Sequence, residues 1–160
     1  MSNSYFYNNF QIEILYEDND IAILNKPSGL LTHKKTEYDK TPNLQDSLND
    51  NFEIEDDEKN KEGIVHRLDK DTSGIIIISK NIISKKLFQE MFKKRGLKKN
   101  YLAFSYGVLN QNQIEINKNI VRNKIKRTQF NTSDLEGKNA LTKVTNIKTF
   151  FGSISLLDCE

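Results

Sequence analysis

Four consecutive isoleucines at positions 75–78, bounded by Gly74 and Ser79, constrain the fold more than any other stretch of this chain. The run is far too short to cross a membrane, and its β-branched side chains favour a strand over a helix. A central strand, buried on both faces, is therefore predicted here. Residues 66–73 before it are polar and follow another short apolar run at 64–65. The sequence thus predicts a polar loop held between two buried strands, which is where we expect the chemistry.

The composition of the 160 residues is typical of one folded domain with a wet surface. Hydrophobic residues make up 36% of the chain, with nine Phe and six Tyr, which is enough for a core. No apolar run reaches membrane-spanning length, and residues 1–10 lack the basic start and apolar core of a signal peptide. A cytoplasmic protein without a membrane segment is expected. The single cysteine, Cys159, cannot form an internal disulfide and has no companion cysteines for a zinc site.

Apolar periodicity predicts an α+β fold with a mainly antiparallel mixed sheet flanked by helices. Strands are expected as a hairpin over 12–24, at 101–106 and as a final hairpin over 141–157. Residues 1–10 show no period and are predicted to be a flexible segment, while 110–119 are uncertain and 131–138 resemble a loop. A Rossmann fold is excluded because no glycine-rich turn joins a strand to a helix.

Two helices are predicted between these strands. A short helix should begin with Pro42 at its first position and present Leu44 and Leu48 on one face. A longer helix should be capped by Asn81 and stopped by Gly96. Its apolar residues, Ile82, Ile83, Leu87, Phe88, Met91 and Phe92, recur at helical spacing and are expected in the core.

The charge distribution is more informative than the net charge of +2, which does not by itself indicate a nucleic-acid binder. One basic group contains Lys85, Lys86, Lys93, Lys94, Arg95 and Lys98, and a second contains Lys118, Arg122, Lys124, Lys126 and Arg127. Such runs are usually solvated faces unless a reactive loop lies beside them. Residues 53–62 are mostly acidic, and we predict a solvated loop there that would repel phosphate.

The polar loop also carries a family resemblance. His66-Arg67-Leu68-Asp69, followed two residues later by Thr72-Ser73-Gly74, resembles the signature loop of the RluA-type pseudouridine synthases, enzymes that isomerise uridine in RNA. Further blocks in the family's order are Ile14-Leu15-Tyr16-Glu17-Asp18 with Asn25-Lys26-Pro27-Ser28-Gly29-Leu30 upstream, and Lys99-Asn100-Tyr101 and Gly137-Lys138-Asn139-Ala140 downstream. Several ordered blocks are far more specific than one short pattern. The resemblance implies a pseudouridine synthase catalytic domain over 11–160.

The resemblance implies that Asp69 is the catalytic residue. Isomerisation requires breaking the glycosidic bond, rotating the base and joining its C5 to the sugar, and the family does this without metal or cofactor. One carboxylate can add at C1′ as a nucleophile or remove a proton from C2′, and both routes remain open. Asp71 falls at a variable position and is expected to be a turn or surface residue. His66 is expected to pack the loop, and His33 is assigned no role.

Three further residues are implied to contact RNA. In the resembling family the arginine equivalent to Arg67 enters the RNA and occupies space vacated by the flipped base. The alternative is an ion pair to Asp57 or Glu62. Tyr101 is implied to stack on the target base and to assist proton transfer at C5, and the alternative is a core tyrosine. Lys99 is expected to contact phosphate or to remain solvated.

The function that these features predict is isomerisation of specific uridines in a structured RNA, ribosomal or transfer, by a monomer. The alternative is an inactive RNA-binding module, either a fragment or a degenerate copy of such an enzyme. A hydrolase using Asp69 and Asp71 is disfavoured, because glycosidases place two acids on either side of a sugar.

The C-terminal end is expected to matter for activity. In the resembling family the final strand leads into a further block whose last arginine pairs with the catalytic aspartate, and this block is not present after residues 153–160. The sequence therefore predicts a catalytic domain that lacks its C-terminal part. Such a chain is expected to be inactive or nearly so by itself and poorly soluble, because unpaired strand edges and apolar surface would be exposed.

Overall fold

The computed structural model describes residues 3–34, 36–55, 63–109, 111–126 and 129–160, and the chain divides into two compact units, Met1–Leu97 and Lys98–Glu160. The predicted α+β class is confirmed, since helices are few and every pairing between the described strands is antiparallel. One catalytic domain can contain two such units, so the predicted domain over 11–160 stays a prediction. No helix among the described residues is long and apolar enough to span a membrane.

The first unit is built on a four-stranded sheet in the order β1-β2-β3-β4. Its elements are β1 (Asn3–Tyr7), β2 (Phe10–Glu17), β3 (Ile21–Lys26), helix α1 (Leu44–Asn49), β4 (Gly74–Ser79) and helix α2 (Ile82–Lys93). The predicted hairpin over 12–24 is confirmed as β2 and β3. Apolar side chains of the sheet and of α1 form its core, among them Ile12, Ala22, Leu24, Leu30, Leu44, Leu48, Ile76 and Ile78.

The isoleucine run forms strand β4, as predicted, but its position in the sheet differs from the prediction. Ile76 and Ile78 are fully buried, whereas Ile75 is 62% exposed, so the run alternates between two faces. Among the described strands β4 pairs with β3 alone, and on its other side it makes a single bridge between Ile64 and Ile78. The predicted central strand and the predicted second buried strand at 64–65 are therefore wrong. An antiparallel sheet with its core on one face needs only every second side chain buried.

The start of the chain also differs from the prediction. The expected flexible segment is wrong for Asn3–Tyr7, which form β1 and pair with β2. Tyr5 packs edge-on against Phe52, with ring centroids 5.8 Å apart, and its hydroxyl lies 3.2 Å from Ser47 Oγ. This strand was not predicted because it is short and its three aromatic residues are consecutive, so they show no alternation with polar residues.

Tyr5 gives this unit a predicted response to alkaline pH. Burial raises the pKa of Tyr5 to about 12, whereas a tyrosine in an unfolded chain ionises near pH 10. The unfolded state therefore loses this proton first, so the stabilisation is complete below pH 10 and is lost as pH rises towards 12. Between pH 10 and 12 the free energy of unfolding should fall by about 2 kcal/mol more in the wild type than in Tyr5→Phe.

Urea unfolding at several pH values between 9 and 12 measures this difference. Tyr38→Phe is the matched control, because Tyr38 is 90% exposed and its removal should leave the wild-type pH dependence unchanged. An identical decline in Tyr5→Phe and the wild type would show that the Tyr5 hydroxyl is not held in the core.

Helix α1 begins one residue after its N-cap, Asn43, whose side-chain oxygen accepts from the Asp46 N–H at 2.9 Å. Pro42 therefore precedes the cap, and its predicted place at the first helical position is wrong. Asparagine is favoured at the N-cap because its side-chain oxygen accepts a hydrogen bond from an otherwise unpaired backbone N–H, which a proline side chain cannot do. The predicted burial of Leu44 and Leu48 is confirmed.

Helix α2 has the predicted N-cap, since the Asn81 side chain accepts from the Ser84 N–H at 2.9 Å. The Ser84 hydroxyl donates to the Asp20 carbonyl oxygen at 2.9 Å, and this bond holds the first turn of the helix against the turn between β2 and β3. Ser84 and Lys85 are consequently buried. Ile83 and Leu87 are exposed, so their predicted place in the core is wrong.

The end of α2 uses a different residue from the one predicted. The left-handed backbone conformation belongs to Arg95, with φ of 54°, and not to Gly96. The Gly96 N–H bonds the Met91 carbonyl oxygen at 2.9 Å, and the Arg95 N–H bonds that of Phe92 at 3.2 Å. This is the bonding pattern of a Schellman cap, in which glycine usually takes the place that Arg95 takes here.

The second unit is a five-stranded sheet in the order β5-β9-β8-β6-β7. The strands are β5 (Tyr101–Tyr106), β6 (Gln113–Arg122), β7 (Phe130–Ser133), β8 (Lys138–Phe150) and β9 (Ile154–Cys159). The predicted strand at 101–106 and the final hairpin are confirmed. The loop predicted at 131–138 is wrong in part, because β7 pairs with β6 there. Most side chains of β6 and β7 are exposed. The four residues of β7 are too few and too polar to show an apolar alternation, whereas Ile114 and Ile116 of β6 do alternate with polar residues.

Candidate active site

The loop at 63–74 is closed at its base by backbone contacts. The Ser79 N–H bonds the Gly63 carbonyl oxygen at 2.8 Å, and Ile64 forms a bridge with Ile78. Gly63 has φ of +75°, and a Cβ added to it would lie 2.1 Å from the Ser79 carbonyl oxygen. Only glycine fits this position, because a side chain would collide with the backbone of β4. The loop therefore leaves and re-enters the sheet at fixed points.

His66, near the start of this loop, packs against strand β4 and helix α2. Its Nε2 accepts a hydrogen bond from the Ile77 N–H at 2.9 Å, and its ring lies against Phe92 with centroids 4.6 Å apart. A nitrogen whose lone pair is already engaged is not available to take a proton from a substrate. The predicted loop-packing role of His66 is confirmed.

Lys26, at the end of β3, holds the same loop through hydrogen bonds of its side chain. Its side chain is fully buried, and its Nζ donates to the carbonyl oxygens of Leu30 at 2.7 Å, Pro27 at 3.0 Å and Lys70 at 3.1 Å. Three acceptors around one nitrogen fit an ammonium group, which has three protons to donate. Burial lowers the pKa of Lys26, and the carboxylates of Asp71 and Asp69 partly offset that effect.

The segment that follows β3 makes further bonds to the loop. The Gly29 N–H bonds the Lys70 carbonyl oxygen at 2.9 Å, and the Ser28 hydroxyl donates to that of Asp71 at 2.8 Å. The Thr32 hydroxyl donates to the Leu68 carbonyl oxygen at 2.7 Å. Peptide groups on both sides of Asp69 are thus held by residues 26–32. None of these supporting side chains was predicted from the sequence to have this role.

Arg67 and Asp69 both lie on the loop with exposed side chains. The Thr72 N–H bonds the Asp69 carbonyl oxygen at 3.2 Å, so a tight turn follows the aspartate. Asp71 is also exposed, as expected for a turn or surface residue. A carboxylate presented in this way can reach a ligand from solvent while its backbone is fixed. The alternative ion pair of Arg67 involves Asp57 or Glu62, which lie outside the described residues.

A cavity of about 780 Å³ opens beside Arg67 in the first unit. Its lining residues are His33, Lys34, Thr36, Glu37, Gln45, Ile64, Val65, His66, Arg67 and Gln89. Lys34 bonds Asp46 at 3.4 Å, so part of its charge is compensated. The cavity is polar, and it brings Arg67 and the otherwise unassigned His33 to one surface.

Tyr101 and Lys99, the other two predicted site residues, belong to the second unit. Tyr101 is the first residue of β5, pairs with Cys159 and remains 39% exposed, which argues against a purely structural core tyrosine. Lys99 is exposed immediately before this strand. The structure therefore places Arg67 and Asp69 on one loop, and Lys99 and Tyr101 together at the start of one strand.

In both predicted basic groups, some of the side chains are buried or already paired and are not available to a ligand. In the first group Lys85 is buried, while Lys94 pairs with Glu90 at 3.1 Å and Lys98 pairs with Glu160 at 3.4 Å. In the second group Lys118 pairs with Asp134 at 2.6 Å, Arg122 lies over the Phe130 ring at 5.1 Å, and Arg127 lies outside the described residues. Within the part of the chain that the structure describes, no cluster of His, Cys, Asp and Glu could hold a metal ion.

Comparison with known proteins agrees with these features. Residues 20–160 match the family model described as RNA pseudouridylate synthase. The chain is 39% identical over 155 residues to the ribosomal large subunit pseudouridine synthase D of Borreliella burgdorferi, covering 93% of this chain and 46% of that protein. It is 33% identical over 152 residues to the ribosomal large subunit pseudouridine synthase C of Rickettsia bellii, covering 91% and 46%. The chain thus spans about half the length of the curated relatives it matches.

Solved structures with the same fold include two human proteins. Human RNA pseudouridylate synthase domain containing 1 matches with a TM-score of 0.68 at 22% identity, covering 92% of this chain and 58% of that one. Human RNA pseudouridylate synthase domain containing 4 matches with a TM-score of 0.68 at 20% identity, covering 91% and 57%. At these identities the similarity establishes the fold alone.

Proposed function

The chain belongs to the RNA pseudouridylate synthase family, of the RluA type, and from this premise we propose that it isomerises uridine to pseudouridine in a structured RNA. One observation carries the proposal: Asp69 presents an exposed carboxylate on a loop whose neighbouring peptide groups are bonded to Thr32 and Lys26. A reactive group needs a fixed backbone and an accessible side chain, and Asp69 has both.

In this proposal Asp69 is the catalytic residue. Its carboxylate either adds at C1′ of the uridine or removes the proton from C2′, and both steps release the base from the sugar. The base then rotates and C5 joins C1′, which displaces the carboxylate from C1′ on the first route and is accompanied by return of the proton to C2′ on the second. The C5 proton then passes to solvent, and N1 takes up a proton. The reaction needs neither a metal nor a cofactor.

Arg67, Lys99 and Tyr101 are proposed to bind the RNA. The exposed Arg67 guanidinium can enter the stack and take the space of the flipped base, which recovers part of the cost of unstacking. Tyr101, partly exposed at the start of β5, can stack on the base and assist proton transfer at C5. Lys99 beside it can contact a phosphate.

Ribosomal RNA of the large subunit is the proposed substrate. The relatives from Borreliella burgdorferi and Rickettsia bellii are both named as ribosomal large subunit enzymes, which favours this RNA over transfer RNA. Under this proposal the protein acts as a monomer in the cytoplasm.

Release of tritium from RNA containing 5-tritiated uridine tests the proposal, because isomerisation exchanges the C5 hydrogen and simple binding does not. We would assay the chain alone and a chimera in which it replaces the matched segment of the Borreliella relative, with the intact relative as positive control. The chimera should release tritium over many turnovers. A folded chimera that binds RNA but releases none would instead identify an RNA-binding module.

RNA binding should depend steeply on salt and on the lysines at and just after the end of α2. Reversing the charges of Lys93, Lys94 and Lys98 should lower the slope of log affinity against log salt by about 2, since each lost phosphate contact contributes about 0.7 to 0.9. Fluorescence anisotropy with a labelled RNA at several salt concentrations measures the slope. Lys40→Glu, at another exposed lysine, should leave it unchanged. An unchanged slope in the triple variant would mean that these lysines are only solvated.

A further inference from the structure

We propose that Thr32 is a positioning residue that fixes the orientation of Asp69 through the backbone of Leu68, an inference that rests on the proposed role of Asp69. The Thr32 Oγ1 donates to the Leu68 carbonyl oxygen at 2.7 Å and accepts from the Leu68 N–H at 3.3 Å. A hydroxyl has one proton and two lone pairs, so it makes both bonds at once. One side chain therefore holds both polar backbone groups of the residue before Asp69.

The geometry of the peptide bond carries this constraint to Asp69. The Leu68 carbonyl and the Asp69 nitrogen share one planar peptide group, so fixing the carbonyl direction also fixes the plane from which Asp69 extends. On the far side of Asp69, the Lys70 carbonyl oxygen is held by Lys26 Nζ and by the Gly29 N–H. The peptide group before Asp69 is therefore held by one neutral side chain, that of Thr32, whereas the Lys70 carbonyl oxygen after it is held by a charged side chain and a backbone N–H.

This clamp, the two hydrogen bonds between Thr32 Oγ1 and the Leu68 backbone, is buried, and the backbone around Thr32 is itself hydrogen-bonded. Thr32 is 4% exposed and Leu68 is 7% exposed, so water cannot readily replace the lost bonds. The Thr32 carbonyl oxygen accepts from the Gln45 N–H at 3.1 Å, and the Leu31 carbonyl oxygen accepts from the Leu44 N–H at 2.7 Å. These two bonds tie the backbone around Thr32 to the first residues of α1, so the hydroxyl has a fixed position from which to hold the loop.

Thr32→Val and Thr32→Ser separate the hydroxyl from the rest of the side chain. Valine keeps the shape and removes both bonds, whereas serine keeps the hydroxyl and loses only a methyl group. In the full chain, the Leu68 amide should exchange its hydrogen at least about tenfold faster in Thr32→Val and near the wild-type rate in Thr32→Ser. Similar exchange in all three proteins would overturn the clamp itself, whatever the function of Asp69.

Kinetics test the positioning role. In the chimera, Thr32→Val should lower kcat by about 10-fold to 100-fold with KM within about threefold, because a misplaced catalytic group slows the chemical step more than RNA binding. Thr32→Ser should restore most of the rate. If Thr32 only filled space in the core, its substitution by valine would not lower kcat while leaving KM nearly unchanged, and serine would not restore the rate. If Thr32→Val does not fold, Thr32→Cys, a weak hydrogen-bonding residue of similar size, replaces it with the same expectation.

The failure of the inference and the failure of the proposed function are distinguishable. Wild-type kcat in a folded Thr32→Val chimera, beside an inactive Asp69→Asn chimera, would overturn the positioning role and leave the function standing. Full activity in Asp69→Asn would remove the proposed function of Asp69 and with it the positioning role, while the exchange measurement would still report on the clamp.

Discussion

Asp69→Asn is expected to lower the rate of pseudouridine formation by at least about a thousandfold while RNA affinity changes only a few-fold. Asparagine has nearly the shape of aspartate but can neither add to C1′ as a carboxylate nor take a proton from C2′. The substitution should leave the fold intact, because Asp69 is exposed and the hydrogen bond from the Thr72 N–H is accepted by its backbone carbonyl. Affinity should persist, since phosphate contacts supply most of the binding energy.

Tritium release by the chimera measures the rate, and fluorescence anisotropy measures the affinity. Asp71→Asn is the matched control, because Asp71 lies on the same loop, is also exposed, and has its backbone carbonyl held by Ser28. This control should retain most of the wild-type rate. Retained turnover in Asp69→Asn, or an equal loss in both variants, would remove Asp69 from its proposed role.

Lys26→Met is expected to destabilise the first unit by about 2 to 5 kcal/mol, because two carbonyl oxygens lose their donor and each such loss typically costs about 1 to 3 kcal/mol. Methionine nearly matches the length of lysine but donates no hydrogen bonds. The carbonyl oxygens of Pro27 and Leu30 would be left without this donor, and that of Lys70 would keep only the Gly29 N–H. Because total stability is commonly 5 to 15 kcal/mol, this loss could leave the unit largely unfolded.

Urea unfolding followed by circular dichroism at pH 7 measures the loss. Lys70→Met is the control, because its side chain is exposed and its removal should change the free energy of unfolding by less than about 0.5 kcal/mol. A loss below about 1 kcal/mol in Lys26→Met would show that the ammonium group is not needed to hold the loop.

The parts of the fold that could be predicted from the sequence are those determined by residues close together in the chain. Asn81 could be recognised as a helix cap, and the isoleucines at 75–78 as a strand, because each depends on its immediate neighbours. The position of that strand in the sheet depends on pairing with β3, roughly fifty residues earlier, and no local pattern reports such pairing. The exposed face of α2 was mispredicted for a similar reason, because the Ser84 hydroxyl is held by Asp20, 64 residues away.

The candidate site shows the same division. The motif on the loop identified Arg67 and Asp69, whereas the side chains that support the loop could not be found from their own surroundings. Thr32 and Lys26 contact it across 36 and 44 residues of sequence. Lys26 did carry a usable signal, since a lysine at the end of an apolar strand and beside a proline is unusual for a solvated side chain. Thr32 carried none, because a threonine after two leucines fits any strand or turn.

The nucleoside composition of RNA after incubation with the chimera tests most directly whether this loop isomerises uridine. Complete digestion followed by mass spectrometry and chromatography distinguishes pseudouridine, unchanged uridine and abasic sites with free uracil. We predict pseudouridine and no free uracil after incubation with the chimera, and no pseudouridine after incubation with its Asp69→Asn variant. Free uracil would indicate hydrolysis, and unchanged uridine from a folded chimera that binds RNA would contradict the proposed activity.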